Sequence, residues 1–195
     1  MNEAEFLARF HHLRTVKPER DYPLRTAGKP AGVLIPIIKH PDQLTVLLTK
    51  RASHLKHHPG QISFPGGRQE DSDFDAIAAA VRETEEEIGI PPNQVNVVGT
   101  LPNFRTISGY EIVPVVATLK AGLPLNLDAN EVEDAFEVPL SVVLDRNNHF
   151  IHWIERGTGR YPVYFIPANN TYIWGATAAI LRNLSRHIFA TPINQ

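Results

Sequence analysis

The chain has 195 residues, of which 43% are hydrophobic, and its formal net charge at pH 7 is -2. A chain of this length is expected to form one domain that buries roughly 70% of the surface of its unfolded state. Cysteine is absent, which excludes disulfides and thiolate metal ligands. The small negative charge offers no overall attraction to nucleic acid, and apolar runs such as residues 33–38 are too short to cross a bilayer. We therefore expect a cytoplasmic protein with neither a nucleic-acid nor a membrane partner.

The predicted elements alternate between helices and strands along the chain. Apolar spacing predicts a helix over residues 4–14, and prolines mark an irregular lead-in as far as Pro30. We expect residues 1–30 to form an N-terminal helix and lead-in, and residues 31–195 to form a single domain. Strands are predicted at 33–39, 44–49, 61–64, 95–101, 111–119, 149–155 and 163–166, and helical segments at 74–88, 131–136, 140–144 and 171–188. This alternation indicates an α/β fold with helices on both sides of a mixed sheet.

The predicted helix 74–88 concentrates acids on one side. Glu83, Glu86 and Glu87 fall within an arc of roughly 100° on a helical wheel, and apolar residues cluster on the opposite side. Acids three or four residues apart repel each other by roughly a few tenths of a kcal/mol, and acids near a helix C-terminus oppose the helix dipole. Such a run is often only a solvated surface. A bound cation is the alternative, because its charge would remove the repulsion.

The surroundings of this helix resemble the signature of a known family. Gly67, the pair Arg82-Glu83, the pair Glu86-Glu87 and the pair Gly89-Ile90 stand in the order of the Nudix box. The pattern departs in two places: Asp73 replaces the usual Glu, and eight residues, not seven, separate Asp73 from Arg82. Asp73 is therefore expected to brace or cap the loop and not to bind metal. The resemblance to the Nudix hydrolases implies an α/β/α sandwich with a mixed sheet.

A second motif precedes the box and narrows the resemblance. Residues 47–67 read LLTKRASHLKHHPGQISFPGG, which is similar to the additional motif of the bacterial coenzyme A diphosphatase branch. Together the two motifs cover about 45 residues and are far more specific than a Gly-rich loop alone. The resemblance implies that the small-molecule substrate is coenzyme A or a derivative, which is hydrolysed to 3′,5′-ADP and 4′-phosphopantetheine. An ADP-ribose or other nucleoside diphosphate hydrolase, and a Nudix ligand sensor without turnover, remain as alternatives.

The resemblance also assigns roles to acids. Hydrolysis of a diphosphate requires cations that neutralise its charge, and hard oxygen ligands suit Mg²⁺ or Mn²⁺. By resemblance Glu83 and Glu87 are metal ligands, and Glu86 and the carbonyl of Gly67 complete the shell. Glu83, Glu86 and Glu131 are the candidates for the catalytic base. The simpler interpretation of Glu131 is a solvated acid on a helix.

The upstream motif carries a local excess of positive charge. We expect Lys50, Arg51, Lys56 and His58 to bind the substrate through its 3′-phosphate; an exposed basic loop is the simpler alternative. The spacing of His54, His57 and His58 also matches a zinc site, but Pro59 follows at once and disfavours the helix that such a site would need.

Overall fold

The computed structural model describes residues 1–11, 16–23, 26–157 and 159–190. Its helices and strands alternate as the sequence predicts. The helices are α1 (Glu3–Phe10), α2 (Ala76–Ile88), α3 (Leu140–Leu144) and α4 (Ala176–Ile188), with short 3-10 turns at Pro92–Gln94 and Arg146–Asn148. The strands are β1 (Lys29–Lys39), β2 (Leu44–Arg51), β3 (Ile62–Ser63), β4 (Gly66–Arg68), β5 (Asn96–Thr100), β6 (Phe104–Arg105), β7 (Tyr110–Lys120), β8 (Val132–Pro139), β9 (Phe150–Arg156), β10 (Gly159–Ala168) and β11 (Thr171–Trp174).

The larger sheet is mixed and is organised around β1. On one side β1 runs parallel to β7 over its whole length, and β5 continues the sheet antiparallel to β7. On the other side, β1 pairs with β2 near Lys39 and with β4 near Ala31, both antiparallel. The far half of β2 pairs with β3, and β8 covers the opposite edge of β2. The chain at β3 and β4 therefore lies between the diverging strands β1 and β2.

Helices cover both faces of this sheet. Successive side chains of a strand point to opposite faces, and β1 is buried on both. Ile35 and Ile37 pack into the larger core with α1, α3 and α4, whereas Leu34 packs with Ala80 of α2 in a separate cluster. The predicted α/β fold with a mixed sheet is thus confirmed.

The second sheet is a three-stranded antiparallel unit of β9, β10 and β11. Its inner residues Tyr164, Ile166 and Ile173 join the larger core. The strand pair β9 and β10 confirms the prediction for 149–155 and 163–166. The prediction of one helix over 171–188 is wrong at its start, because residues 171–174 pair with β10 and Gly175, at φ 66°, separates that strand from α4.

The helical prediction for 131–136 is also wrong. This acid-rich segment begins β8, which pairs along β2 from Thr45 to Arg51. The open edge of β2 offers a row of backbone groups to pair with, and this tertiary partner overrides a weak local helix preference. In the described part of the chain, no helix is long and apolar enough to span a membrane.

Candidate active site

Helix α2 is held in place by a cap at each end. It begins at Ala76, two residues later than predicted, because the side chain of Asp75 accepts a hydrogen bond from the backbone N of Ala78 at 2.8 Å and forms the N-cap. Gly89 ends the helix in the left-handed conformation at φ 74°, which glycine adopts without steric cost. The acids near the C-terminal end therefore sit on a helix with defined ends, packed against β1.

Glu87 is the most buried of these acids. Its residue is 5% exposed, and one carboxylate oxygen accepts a hydrogen bond from the backbone N of Gly66 at 3.2 Å. Burial raises the pKa of Glu87 to about 8, and the nearby charges of Glu83 and Glu131 act in the same direction. Glu87 thus departs from the simple helical wheel, since it lies between the packing face and the cleft.

Glu83 lies one turn earlier, directly against the Gly67 turn. A Cβ atom built on Gly67 would come within 2.4 Å of the Glu83 carboxylate, so only glycine allows this approach. Burial is the main reason that the pKa of Glu83 is raised. The backbone at Gly67 and the carboxylates of Glu83 and Glu87 therefore share one small volume.

Arg82 ties the acids of the box together. Its Nε and one terminal nitrogen each donate to Asp73 at 3.0 Å, and the other terminal nitrogen donates to Glu83 at 3.1 Å and Glu86 at 2.8 Å. The hydrogen bonds from Arg82 lower the pKa of Asp73, which also accepts a hydrogen bond from the backbone N of Glu70. Asp73 therefore braces the loop through Arg82 and is not the helix cap.

Glu131 approaches the same acids from another element. It lies just before β8, and its carbonyl accepts a hydrogen bond from the backbone N of Ala52 at 2.8 Å. Its charge contributes to the raised pKa of both Glu83 and Glu87. The fold thus brings an acid 44 residues beyond Glu87 into the electrostatic neighbourhood of the box helix, whereas Glu86 points outward, its side chain 58% exposed.

The donor set fits a hard divalent cation in its chemistry. Within the described ranges, no three His, Cys, Asp or Glu side chains stand together in a ready-made metal-binding group. Glu83 and Glu87 are nevertheless partly desolvated acids beside the half-buried turn of backbone at Gly66 and Gly67, with no sulfur or imidazole ligand among them. Such a cluster is stabilised by a cation and suits oxygen-binding Mg²⁺ or Mn²⁺.

Two of the four predicted basic residues lie close to acids, and the other two are exposed to solvent. Lys50 forms an ion pair with Glu133 at 2.6 Å, while Arg51 lies close enough to Glu87 to counteract the rise of its pKa. Lys56 and His58 are exposed on the loop 52–61. Backbone bonds between Arg51 and the end of this loop, from Arg51 N to Gln61 O at 3.0 Å and from Gly60 N to Arg51 O at 3.1 Å, close the loop beside the acids.

Two contacts in the site are absent from the sequence prediction. The backbone N–H of Gly66 contacts Glu87, and the Pro65-Gly66-Gly67 turn was the available signal for it. Glu133 was missed as the partner of Lys50, because its segment was predicted to be helical. A separate cavity of about 650 Å³ is lined by residues of α1 and α3, and none of the predicted site residues lines it.

Comparisons with known proteins agree with this geometry. The family model described as NUDIX domain matches residues 28–155. NudL of Shigella flexneri, named an uncharacterized Nudix hydrolase, is 40% identical over 188 residues, which cover 96% of this chain and 95% of the relative. NudL of Escherichia coli strain K12 / DH10B is 39% identical over the same shares of the two chains.

A solved structure shows the same fold. The crystal structure of a Nudix hydrolase from M. smegmatis, RenU, superposes with a TM-score of 0.51 and 24% identity, over 67% of this chain and 81% of RenU. At this identity the likeness concerns the fold alone. Membership of the family is shown instead by the matching family model and by the NudL relatives. The chain therefore belongs to the Nudix hydrolases and is an enzyme that hydrolyses diphosphate bonds of nucleoside diphosphate derivatives.

Proposed function

We propose that this Nudix hydrolase splits the diphosphate bond of coenzyme A, free or as a derivative, into 3′,5′-ADP and 4′-phosphopantetheine. One observation carries the proposal. The basic loop 52–61, which belongs to the coenzyme A-type motif, is closed by Arg51 beside the acids of the box helix. A substrate whose diphosphate lies at the acids therefore has cationic groups available for a further phosphate.

The acid cluster supplies the metal ligands in this proposal. Glu83 and Glu87 would hold Mg²⁺ or Mn²⁺, with the carbonyl of Gly67 and the carboxylate of Glu86 as further ligands. The cation, when bound, neutralises the diphosphate and makes the attacking water more acidic. Arg82 keeps Glu83 and Glu86 in place, because its guanidinium contacts both carboxylates and is itself held by Asp73.

Three acids are candidates for the base that takes the proton from water. Glu83 and Glu86 lie on the box helix, and Glu131 lies just before β8, close enough for its charge to act on Glu83 and Glu87. Glu131 has the advantage that it is exposed and is not held by Arg82. A base of this kind must lie within hydrogen-bonding reach of the attacking water.

In this proposal the basic residues bind different parts of the substrate. Arg51 binds the diphosphate, a role supported by its closeness to Glu87, and the exposed Lys56 and His58 bind the 3′-phosphate. Lys50 supports the loop through its ion pair with Glu133 and contributes its charge to the same region.

A substrate panel tests the proposal directly. Purified protein with Mg²⁺ or Mn²⁺ is incubated with coenzyme A, dephospho-coenzyme A and ADP-ribose, and the products are identified by mass. We expect coenzyme A to be the best substrate and to yield 3′,5′-ADP. A higher kcat/KM for ADP-ribose or for the dephospho form would favour the alternative nucleoside diphosphate hydrolase, and no turnover of any of them would favour a ligand sensor.

A single substitution tests the role of the loop. Lys56→Ala is expected to lower kcat/KM for coenzyme A by about tenfold or more, mainly through KM, because a charge-assisted contact to phosphate is lost. Hydrolysis of dephospho-coenzyme A, which has no 3′-phosphate, should change much less. Lys120→Ala, an exposed lysine at the end of β7, is the matched control and should leave both substrates unaffected. Equal losses for the two substrates would show that Lys56 does not bind the 3′-phosphate.

A further inference from the structure

A cluster of arginines from α4 and from the 3-10 turn after α3 lies apart from the acids of the box helix. Arg182 and Arg186 of α4 approach one carboxylate oxygen of Glu19 at 3.1 and 3.2 Å, and Arg146 approaches the same oxygen at 3.8 Å. Glu19 belongs to the lead-in between α1 and β1. We call Arg146, Arg182 and Arg186 the arginine cluster.

Glu19 is well anchored at the inner side of this cluster. Its side chain is 9% exposed, and its second carboxylate oxygen accepts a hydrogen bond from the hydroxyl of Tyr164 at 3.2 Å. Its backbone N donates to the side-chain oxygen of Asn183 at 2.6 Å. Burial raises the pKa of Tyr164 to about 12, so the hydroxyl keeps its proton and acts as a donor at neutral pH.

The positive charge of the cluster exceeds what Glu19 supplies. Three guanidinium groups share one carboxylate oxygen, and a carboxylate oxygen offers about two lone-pair sites. The acid next to the cluster, Asp145, is occupied as the cap of the following 3-10 turn, where it accepts from the backbone N and the side-chain amide of Asn147. The surplus positive charge lies on Arg146 and Arg186, so the cluster attracts a further anion.

Unpartnered polar atoms lie around the same point. Among the described residues, Nε of Arg182, Nδ2 of Asn183 and Nδ1 of His149 are buried without a hydrogen-bond partner. Arg182 itself is 5% exposed, and its guanidinium lies 4.8 Å from the ring centre of Tyr164. Buried donors almost always have a partner in native proteins. The unused donors of Arg182 and Asn183 are therefore consistent with a site for an acceptor.

The two remaining arginines face solvent. The side chains of Arg186 and Arg146 are 32% and 49% exposed, so an incoming group can reach them without unfolding the core. Helix α4 packs on the sheet face that carries Ile35 and Ile37, opposite the face of α2. This position separates the arginine cluster from the diphosphate site by the thickness of the sheet.

From this arrangement we propose that the arginine cluster is a second anion site, which binds a phosphate group between Arg146 and Arg186 and competes with Glu19 for them. The ligand class is a phosphate monoester or inorganic phosphate, since a doubly charged tetrahedral anion matches two guanidinium groups better than a single carboxylate does. Because Glu19 is part of the lead-in, binding at the cluster changes how the segment 16–23 is held on α4. The site goes beyond the proposed function and does not depend on it.

Phosphate binding to the intact protein tests the proposal. The probe is inorganic phosphate, with chloride at equal ionic strength as the reference, and the readouts are the melting temperature and titration calorimetry. We expect phosphate to stabilise the wild type and to bind about tenfold or more weakly to the double variant Arg146→Ala, Arg186→Ala. Both arginines are partly exposed, and Arg182 is left unchanged, so this variant is expected to fold.

Two further variants distinguish a phosphate site from a purely structural ion-pair network. Glu19→Gln keeps the size of the side chain and one acceptor oxygen but removes the competing charge, so phosphate should bind more tightly than to wild type and raise the melting temperature further. Lys120→Ala, an exposed lysine at the end of β7 that belongs to neither site, should keep the full phosphate response. A phosphate response that is unchanged in the double arginine variant, or unchanged by Glu19→Gln, would overturn the proposal and leave the cluster as such a network. None of these readouts uses turnover of coenzyme A, so they are independent of the proposed function.

Discussion

At the scale of single residues, the acids of α2 differ in the energetic cost of their positions. Glu87 is buried and close to two other acids, whereas Glu86 is exposed and paired with Arg82. Glu86 and Glu87 are adjacent glutamates, but their side chains lie in different environments. Removal of the charge should have different consequences at the two positions, because only a buried carboxylate carries a large desolvation cost.

We predict that Glu83→Gln and Glu87→Gln each lower kcat by about 100-fold or more, since each removes a charge that neutralises the bound cation. Without metal at pH 7, Glu87→Gln should melt at a higher temperature than the wild type, because burial disfavours the ionised form of Glu87 and raises its pKa to about 8, whereas the amide is neutral and still accepts from Gly66 N. Mg²⁺-dependent kinetics and melting in a chelator measure the two effects. Glu85→Gln, an exposed acid of the same helix, is the control and should behave as wild type. Normal Mg²⁺-dependent rates in both variants would contradict the assignment of the ligands.

A residue far from the acids should control part of the response to pH. His149 Nε2 donates to the carbonyl of Val143 at 2.8 Å, and burial, aided by Arg182 and Arg146, lowers its pKa below 6.5. Below about pH 6.5 the unfolded state then binds more protons than the folded state, so the stability falls as the pH falls.

We therefore predict that His149→Gln loses less stability than the wild type between pH 7.5 and 5.5. Denaturation in urea at both values measures this, and His57→Gln on the exposed loop is the control that should follow the wild type. An identical loss in His149→Gln and wild type would show that His149 is not protonated on unfolding.

At the scale of elements, α2 works as a rigid support with a defined start. Its cap, Asp75, lies eight residues before Glu83 and more than two turns away from it. The cap can therefore be weakened without direct contact with the site.

Asp75→Ala should lower the free energy of unfolding by about 1 kcal/mol, because the N–H of Ala78 loses its side-chain acceptor. Asp75→Asn retains an acceptor and should stay close to wild type. Urea denaturation compares the three proteins, and kcat should be similar in all of them. A large fall in kcat for Asp75→Ala at unchanged stability would mean that the start of α2 takes part in catalysis.

At the scale of the whole molecule, the site joins three separate parts of the chain. The turn at Gly66 and Gly67, the helix α2 and the segment before β8 meet where β1 and β2 diverge. A ligand that binds all three should stabilise the whole domain, because it binds only the folded state.

Mg²⁺ at about 100 times its dissociation constant should stabilise the wild type by about 2.7 kcal/mol, which for a domain of this size raises the melting temperature by roughly 5 °C or more. The double variant Glu83→Gln, Glu87→Gln should show no such shift, and metal-free buffer of matched ionic strength is the reference for both. A shift of equal size in the double variant would place the cation elsewhere.

Local patterns determined much of this protein from sequence alone. Caps, apolar spacing and Gly89 are local features, so the box helix, the hairpin of β1 and β2 and the mixed α/β fold were predictable. The Nudix motif of Gly67, Arg82 and the glutamates is likewise contained in one short segment. The role of Asp73 was partly predictable, since Asp73 was expected to support the loop, although its contact with Arg82 was not specified.

Only the tertiary structure decided which distant groups meet. Residues 131–136 became a strand because the edge of β2 was available, and this placed Glu131 near Glu83 and Glu133 on Lys50. The burial of Glu87 depends on the turn at Gly66, and the arginine cluster forms only because Glu19 packs against α4, more than 160 residues later in the chain. The physical reason is the same in each case. Pairing, burial and electrostatics depend on neighbours in space, and local sequence preferences carry no information about a neighbour that the fold supplies from elsewhere in the chain.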